Sequence, residues 1–228
     1  MPNKTLVMSL GGSLIAPDNI DINFLKKFRP LILNFTKKGI RFVLICGGGN
    51  TCRNYNQAAL AVNPKVKPRD LDWMGIAATR LNAELISAIF GDLAYESILD
   101  NPSRPVKTKR QIIVGAGYLP GSSSDKDAVL AAKAFGAKTV INLSNIAYIY
   151  DKDPKKYKDA KARKKMTWKE FLKLVGTKWV PGAHVPFDPI ASALAAKGKM
   201  KLVVMKGSDM DNLKRFLEGG EFKGTVVG

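Results

Sequence analysis

The chain has 228 residues, 46% hydrophobic and 25% charged, a composition that suits an ordinary globular α/β domain. No apolar run approaches the roughly 18 to 20 residues of a membrane span, and the opening "MPNKTLVMSLGGS" lacks the layout of a secretory signal, so a cytoplasmic protein with no membrane partner is expected. Two cysteines (Cys46, Cys52) and one histidine (His184) argue against a disulfide framework, a zinc centre or a Ser-His-Asp triad, while 37 Lys+Arg against 19 Asp+Glu give a net charge of +18 that attracts anionic ligands.

In chain order, "KTLVMSL" (4–10) reads as a buried strand, and "GGS" (11–13) turns the chain off its end. Residues 22–37 carry Leu25, Phe28, Ile32 and Phe35 at helical spacing, with Pro30 predicting a kink or a late start. "RFVLIC" (41–46) is a second strand, and "GGGN" (47–50) opens a helix. After a Pro/Lys-rich connector (63–70), Leu81, Leu85 and Ile89 mark a helix over 71–90. "QIIVG" (111–115) is a strand, and a helix follows over 125–136, with Ser124 and Asp127 placed as a capping box. "KTVINL" (138–143) is again a strand. The lysine-rich stretch 151–165 reads as a solvated loop. Thr167 and Glu170 form a second capping box; a helix within 186–198, a strand at 201–205, a helix capped by Ser208 and the strand "GTVV" complete the chain.

Buried strands alternating with helices predict an α/β fold, a three-layer α/β/α sandwich around a mainly parallel sheet. Ligands in such sheets bind at the carboxyl ends of the strands, where the glycine turns 11–12, 47–49 and 115–121 fall. Glycine lets a ligand approach main-chain N–H groups closely, so three such turns in a basic chain point to a polyphosphate. No G-x-x-x-x-G-K-[ST] is present, which excludes a P-loop. Gly115, Gly117 and Gly121 superficially suggest a dinucleotide site, but the next strand ends in Leu143-Ser144 with no acid for a ribose. Ser122, Ser123 and Ser124 converge ahead of a helix, and Asp125 beside an anion site implies an acid that orients a cation or holds a metal.

These segments resemble the amino-acid-kinase fold and, within it, the archaeal-type uridylate (UMP) kinases. The likeness runs through "SLGGSL" (9–14), "CGGGNTCR" (46–53), "DLDWMGIAATRLNAEL" (70–85), "PGSSSDKDAVLAAK" (120–133), "NLSNIAYIYDKDPKKYKDAK" (142–161), "FDPIAS" (187–192) and "KGTVV" (223–227). It implies one domain with an acceptor lobe over about residues 1–136 and an ATP lobe over about 137–228. It further implies transfer of the ATP γ-phosphoryl group to UMP with Mg²⁺ in pyrimidine nucleotide biosynthesis, and assembly as a homohexamer.

By that resemblance UMP meets Gly48, Asp72 and the run Tyr118, Leu119, Pro120, Gly121, Ser122, Ser123 and Ser124. ATP meets Ser9, Gly11, Gly12, Ser13, Gly49, Arg53, Ser144, Asn145, Tyr150 and Asp153. Asp125 is the organising acid. The lysine that many relatives carry two residues before the first glycine pair is Ser9 here, so Lys126, with Lys152 as the other candidate, would supply the missing cation. Ala147 and Tyr148 stand where relatives carry an acid and a glycine, and Arg80 stays open between a phosphate and a subunit contact. Three rivals remain: another acceptor on the same fold, a non-catalytic nucleotide-binding or storage protein, and a nucleic-acid surface at 151–165. Against the last, the interspersed Asp153 and Asp159 favour an ATP-side loop.

Overall fold

The computed structural model describes residues 4–152, 154, 156–177 and 185–228. Seven strands form one sheet in the order β3-β2-β1-β4-β8-β9-β7: β1 (Lys4–Leu10), β2 (Ile40–Cys46), β3 (Ile112–Gly115), β4 (Thr139–Ser144), β7 (Lys165–Met166), β8 (Lys201–Lys206) and β9 (Thr225–Val227). Every pairing is parallel except β8 with β9. A separate antiparallel ribbon joins β5 (Ile149–Tyr150) to β6 (Ala162–Arg163).

The alternation along β1 shows why the sheet is covered twice. Leu6, Met8 and Leu10 enter one core with α2 (Ile22–Lys37), α4 (Pro68–Phe90) and α8 (Met210–Leu217). Val7 enters the other with α5 (Ser124–Ala134), α6 (Trp168–Val175) and α7 (Pro189–Lys197). Ser9 falls on the Val7 side, so a polar side chain from the middle of the sheet faces the start of α5. α1 (Gly12–Ile15) and α3 (Gly49–Val62) complete the helices that leave the carboxyl edge.

Some boundaries differ from the sequence reading. α2 runs through Pro30 as one helix; Pro30 is exposed, so the hydrogen bond it forfeits lies on the solvent side. The lysine-rich segment contributes β6 and one strand of the main sheet, β7, instead of running throughout as loop. The cap of α8 is Asp209, accepting from the Asn212 N–H, and not Ser208. The Thr167–Glu170 capping box forms as expected.

Candidate functional site

Parallel register aligns the strand ends. Leu10 lies opposite Cys46 and Leu143, and Ser144 lies opposite Lys206, so the turns after β1, β2, β4 and β8 share one edge. The first two glycine turns are packed backbone to backbone. A Cβ on Gly12 would fall 2.0 Å from the Gly49 nitrogen, and one on Gly47 would lie 2.7 Å from the Gly12 nitrogen. Gly49 also takes φ +65°, a left-handed conformation that only glycine adopts freely. Gly11 N–H donates to the Leu143 carbonyl at 2.9 Å, joining the first turn to the end of β4. Arg53, one turn into α3, reaches back to Ser13 Oγ at 3.3 Å and is steadied by Asn50 Oδ1. Asn50 is itself anchored to Asp18 at 2.6 Å.

The third turn is held differently. Leu119 to Ser122 close a β-turn through Ser122 N–H and the Leu119 carbonyl at 3.1 Å. Pro120 and Gly121 (φ +74°) occupy the central positions in which a type II turn favours them. This Pro-Gly pair is therefore a tight turn, and α4 fastens it. Thr79 Oγ1 accepts from Gly117 N–H at 2.8 Å, and Asp72 Oδ2 accepts from Gly121 N–H at 2.8 Å. Asn82 donates to the Gly47 carbonyl at 2.7 Å, so one face of α4 touches the second and third turns together. Asp72 lies inside α4, beyond the reach of a helix cap.

Three carboxyl groups, Asp125, Asp127 and Asp188, lie near this turn, close enough for their charges to act on one another. Asp125 accepts from Ser9 Oγ at 3.0 Å and from Asp188 N–H at 3.1 Å. Burial pushes its pKa up to about 6, against the pull of those two hydrogen bonds, with the charges of Asp188 and Asp127 adding to the rise. Asp127, fully buried, is likewise raised to about 6 by burial, while hydrogen bonds from Ser122 and Tyr118 and the charge of Lys126 lower it. Asp188 caps α7 through Ala191 N–H at 2.8 Å and accepts from Ser123 Oγ at 2.6 Å. Among the described residues, none of the three carboxylates has a Lys or Arg nitrogen within 4 Å. Acids held mainly by hydrogen-bond donors, with the charge of Lys126 acting on Asp127, can receive a cation brought by a ligand.

Most of the expected site residues are gathered at this edge. Gly11, Gly12, Ser13, Gly48, Gly49, Arg53 and Ser144 lie around the first two turns, and Asp72 with residues 118–124 forms the third. Ser9 is buried and occupied by Asp125. Asn145 is exposed just after β4; Tyr150 sits further along, on the β5–β6 ribbon opposite Ala162. Asp153 and His184 fall outside the described residues. Lys126 stands next to Asp125, and its charge acts on Asp127. The Lys152 ammonium is held by Asp159 at 2.6 Å and lies over the Tyr157 ring.

Two corrections concern the start of α5. The cap is Ser123, accepting from Lys126 N–H, so Ser124 and Asp127 make no capping box. Asp127 turns instead to Tyr118 and Ser122. Sequence reading missed Asp188 as a site residue. Its signal was the Asp-Pro pair opening a helix in "FDPIAS", a capping pattern that gives no hint of Ser123 or Asp125.

A cavity of about 550 Å³ opens beside the third turn, between α4 and the segment that follows Leu99; Trp73, Ile76, Arg80, Arg104, Gly117 and Tyr118 contribute to its wall. Arg80 also pairs with Glu84 at 3.5 Å on the exposed face of α4. Among the described residues no three His, Cys, Asp or Glu side chains are grouped as a metal-binding set. No helix among them is long and apolar enough to cross a membrane.

Residues 4–206 match the amino acid kinase family. A uridylate kinase from Methanospirillum hungatei is 34% identical over 226 residues, covering 98% of this chain and 94% of its own. Another from Methanoregula boonei is 32% identical over 227 residues, covering 98% and 95%. Among solved structures, the uridylate kinase from Archaeoglobus fulgidus shares the fold with a TM-score of 0.84 at 25% identity, covering 98% of this chain and 99% of that one. With these matches and the mainly parallel, doubly covered sheet, the chain belongs to the amino acid kinase family.

Proposed function

We propose that the chain is a UMP kinase, transferring the γ-phosphoryl group of ATP to UMP to give UDP for pyrimidine nucleotide synthesis. The bond between the γ-phosphorus and the ADP oxygen breaks as one forms to a phosphate oxygen of UMP. The observation that carries the reading is the meeting of three glycine turns at one sheet edge beside Asp125, in a chain whose full-length relatives are named uridylate kinases.

Phosphoryl transfer requires in-line positioning and neutralisation of developing charge more than covalent chemistry from the protein. UMP lies along the third turn. Asp72 keeps one carboxylate oxygen for a ribose hydroxyl while the other holds Gly121, and the cavity by Trp73, Gly117 and Tyr118 takes the base. The ATP phosphates lie over Gly11, Gly12, Ser13 and Gly49, with Arg53 already turned toward them. Ser144, Asn145, Tyr150 and Asp153 hold the nucleoside end. Residues up to about 136 form the acceptor lobe and the remainder the ATP lobe.

Asp125 fixes the geometry between the two phosphates and draws Lys126 or a water toward the transferring group. Mg²⁺ would enter as an ion carried by the nucleotide phosphates, since it keeps several waters and needs only one or two carboxylates; Asp125 would offer one, and the ion would supply charge neutralisation between the phosphates. The enzyme works in the cytoplasm as a homohexamer.

A coupled assay offering UMP, CMP, AMP, acetylglutamate and isopentenyl phosphate tests the assignment. Turnover of UMP that falls in Asp125→Asn supports it; turnover of another acceptor but not UMP overturns it. Ser9 in place of a strand lysine favours one second reading, a nucleotide-binding protein that transfers nothing. Tight ATP binding without turnover of any acceptor would select that reading.

A further inference from the structure

The segment leading into α5 is joined to the helix by a polar pair at positions where an apolar pair is usual. With Ser123 as N-cap, Ser122 stands at N′ and Asp127 at N4, the two positions a hydrophobic staple normally connects to fix the entry angle of the chain. Two hydrocarbon side chains would do this with no charge to bury. Asp127 has 0% exposure and uses both of its oxygens instead. Oδ1 accepts from Ser122 Oγ at 3.0 Å, and Oδ2 accepts from Tyr118 N–H at 3.2 Å. The carboxylate thus grips both ends of the 118–122 segment, while Asp72 grips its apex through Gly121 N–H. Among the described residues, neither oxygen of Asp127 is hydrogen-bonded to the first two glycine turns. A helix start that needed only an anchor would not require a carboxylate that ties down a backbone amide nine residues earlier.

We propose that Asp127 is a positioning residue for the acceptor nucleotide: it holds the Leu119–Ser122 turn in the one shape in which its amides and hydroxyls meet UMP. The proposal rests on the UMP-kinase reading of the site. It separates the two substrates, because the turn it holds serves the acceptor alone.

The test compares Asp127→Ala with Asp127→Asn by steady-state kinetics and by amide hydrogen exchange at Tyr118. Alanine leaves two donors unpaired, so KM for UMP rises roughly tenfold while KM for ATP stays within about twofold. Asparagine keeps an oxygen for Tyr118 N–H and offers its amide to Ser122 Oγ, and it restores KM for UMP to within about threefold of wild type. Tyr118 exchange accelerates about tenfold in the alanine variant and not in the asparagine variant. Equal rises in both KM values, or unchanged Tyr118 exchange in Asp127→Ala, would overturn the proposal and leave Asp127 as ordinary scaffold. Should Asp127→Ala fail to fold, Ser122→Ala removes one of the two contacts. Tyr118 exchange then accelerates about threefold as the turn loosens, and unchanged exchange counts against the proposal. If the wild-type protein does not phosphorylate UMP, the function reading fails by itself, and Tyr118 exchange still decides whether Asp127 grips the turn.

Discussion

On the side of the site proposed for ATP, residues 11–13 and 47–49 lie backbone against backbone, so close that a methyl group on Gly12 would fall 2.0 Å from the Gly49 nitrogen. On the side proposed for UMP, a methyl group on Gly121 would have no heavy atom within 4 Å, and carboxylates from α4 and α5 hold the turn in place. Both regions are glycine-rich, yet glycine does a different job in each. In the first it permits two main chains to approach; in the second it permits a left-handed bend in open space. Backbone-on-backbone packing has no rotamers to adjust and suits a ligand whose phosphates must arrive in one place. A turn hung on side chains can be tuned one hydrogen bond at a time, which suits recognition of a particular acceptor.

The largest effect is expected for Gly12→Ala. The added methyl cannot be accommodated by rotating a side chain, because both neighbours are backbone, so a loss of at least about 3 kcal/mol of stability is expected, beyond the usual range for overpacking of a side chain. Urea denaturation checks this, and a variant as stable as wild type would mean that the two turns do not pack as described. Asp125→Asn tests the chemistry without that damage. The amide keeps one acceptor for Ser9 or Asp188 but removes the charge, and kcat for UMP should fall by about 100-fold with little change in melting temperature. A fall of less than about threefold would remove Asp125 from the reaction.

The comparison also separates what was legible in the sequence from what was not. Strands such as "KTLVMSL" and "RFVLIC" could be read because a doubly covered sheet asks for continuous apolar runs, and the glycine turns could be read because their spacing places them at strand ends. The residues that gather the turns were legible by type but not by partner. Three consecutive serines can each cap a helix, and what singles out Ser123 is its hydroxyl's bond to Asp188, 65 residues away. Asp127 looked like the far half of a capping box, since nothing local reveals that Tyr118 N–H lacks a partner without it. The short strands β6 and β7 carry no apolar pattern, and their pairing is decided by the edges they meet.

The acids at the start of α5 give the proposed acceptor side a pH response. Asp127 is raised from an ordinary 3.8 to about 6, so the folded form binds its proton more tightly than the unfolded form does. Below about pH 3.8 both states are protonated and the contribution to stability is fully present. It is lost as pH rises through about 6, at a cost on the order of 3 kcal/mol. Urea midpoints at pH 4.5 and pH 7.5 should therefore differ more in wild type than in Asp127→Asn, and an equal difference would show that Asp127 is not the source. The rate follows the opposite sense. Asp125 must be ionised to draw a cation, so kcat should climb as pH passes about 6 and then level.

The smallest effect is expected at Gly121, and it sharpens the comparison best because it leaves every contact in place. Alanine there meets no neighbour and keeps the N–H that donates to Asp72, so the whole penalty is the left-handed conformation itself, about 1 kcal/mol. Gly12→Ala and Gly121→Ala add the same methyl group to the same residue type, one against backbone at an ordinary φ and one in open space at a left-handed φ. The Gly121 variant should fold, melt a few degrees lower and bind ATP normally, with KM for UMP raised about threefold as the turn samples other shapes. If KM for ATP rose in step, the turn after β3 and the turns after β1 and β2 would be one mechanical unit. The division between a packed donor side and a suspended acceptor side would then have to be given up.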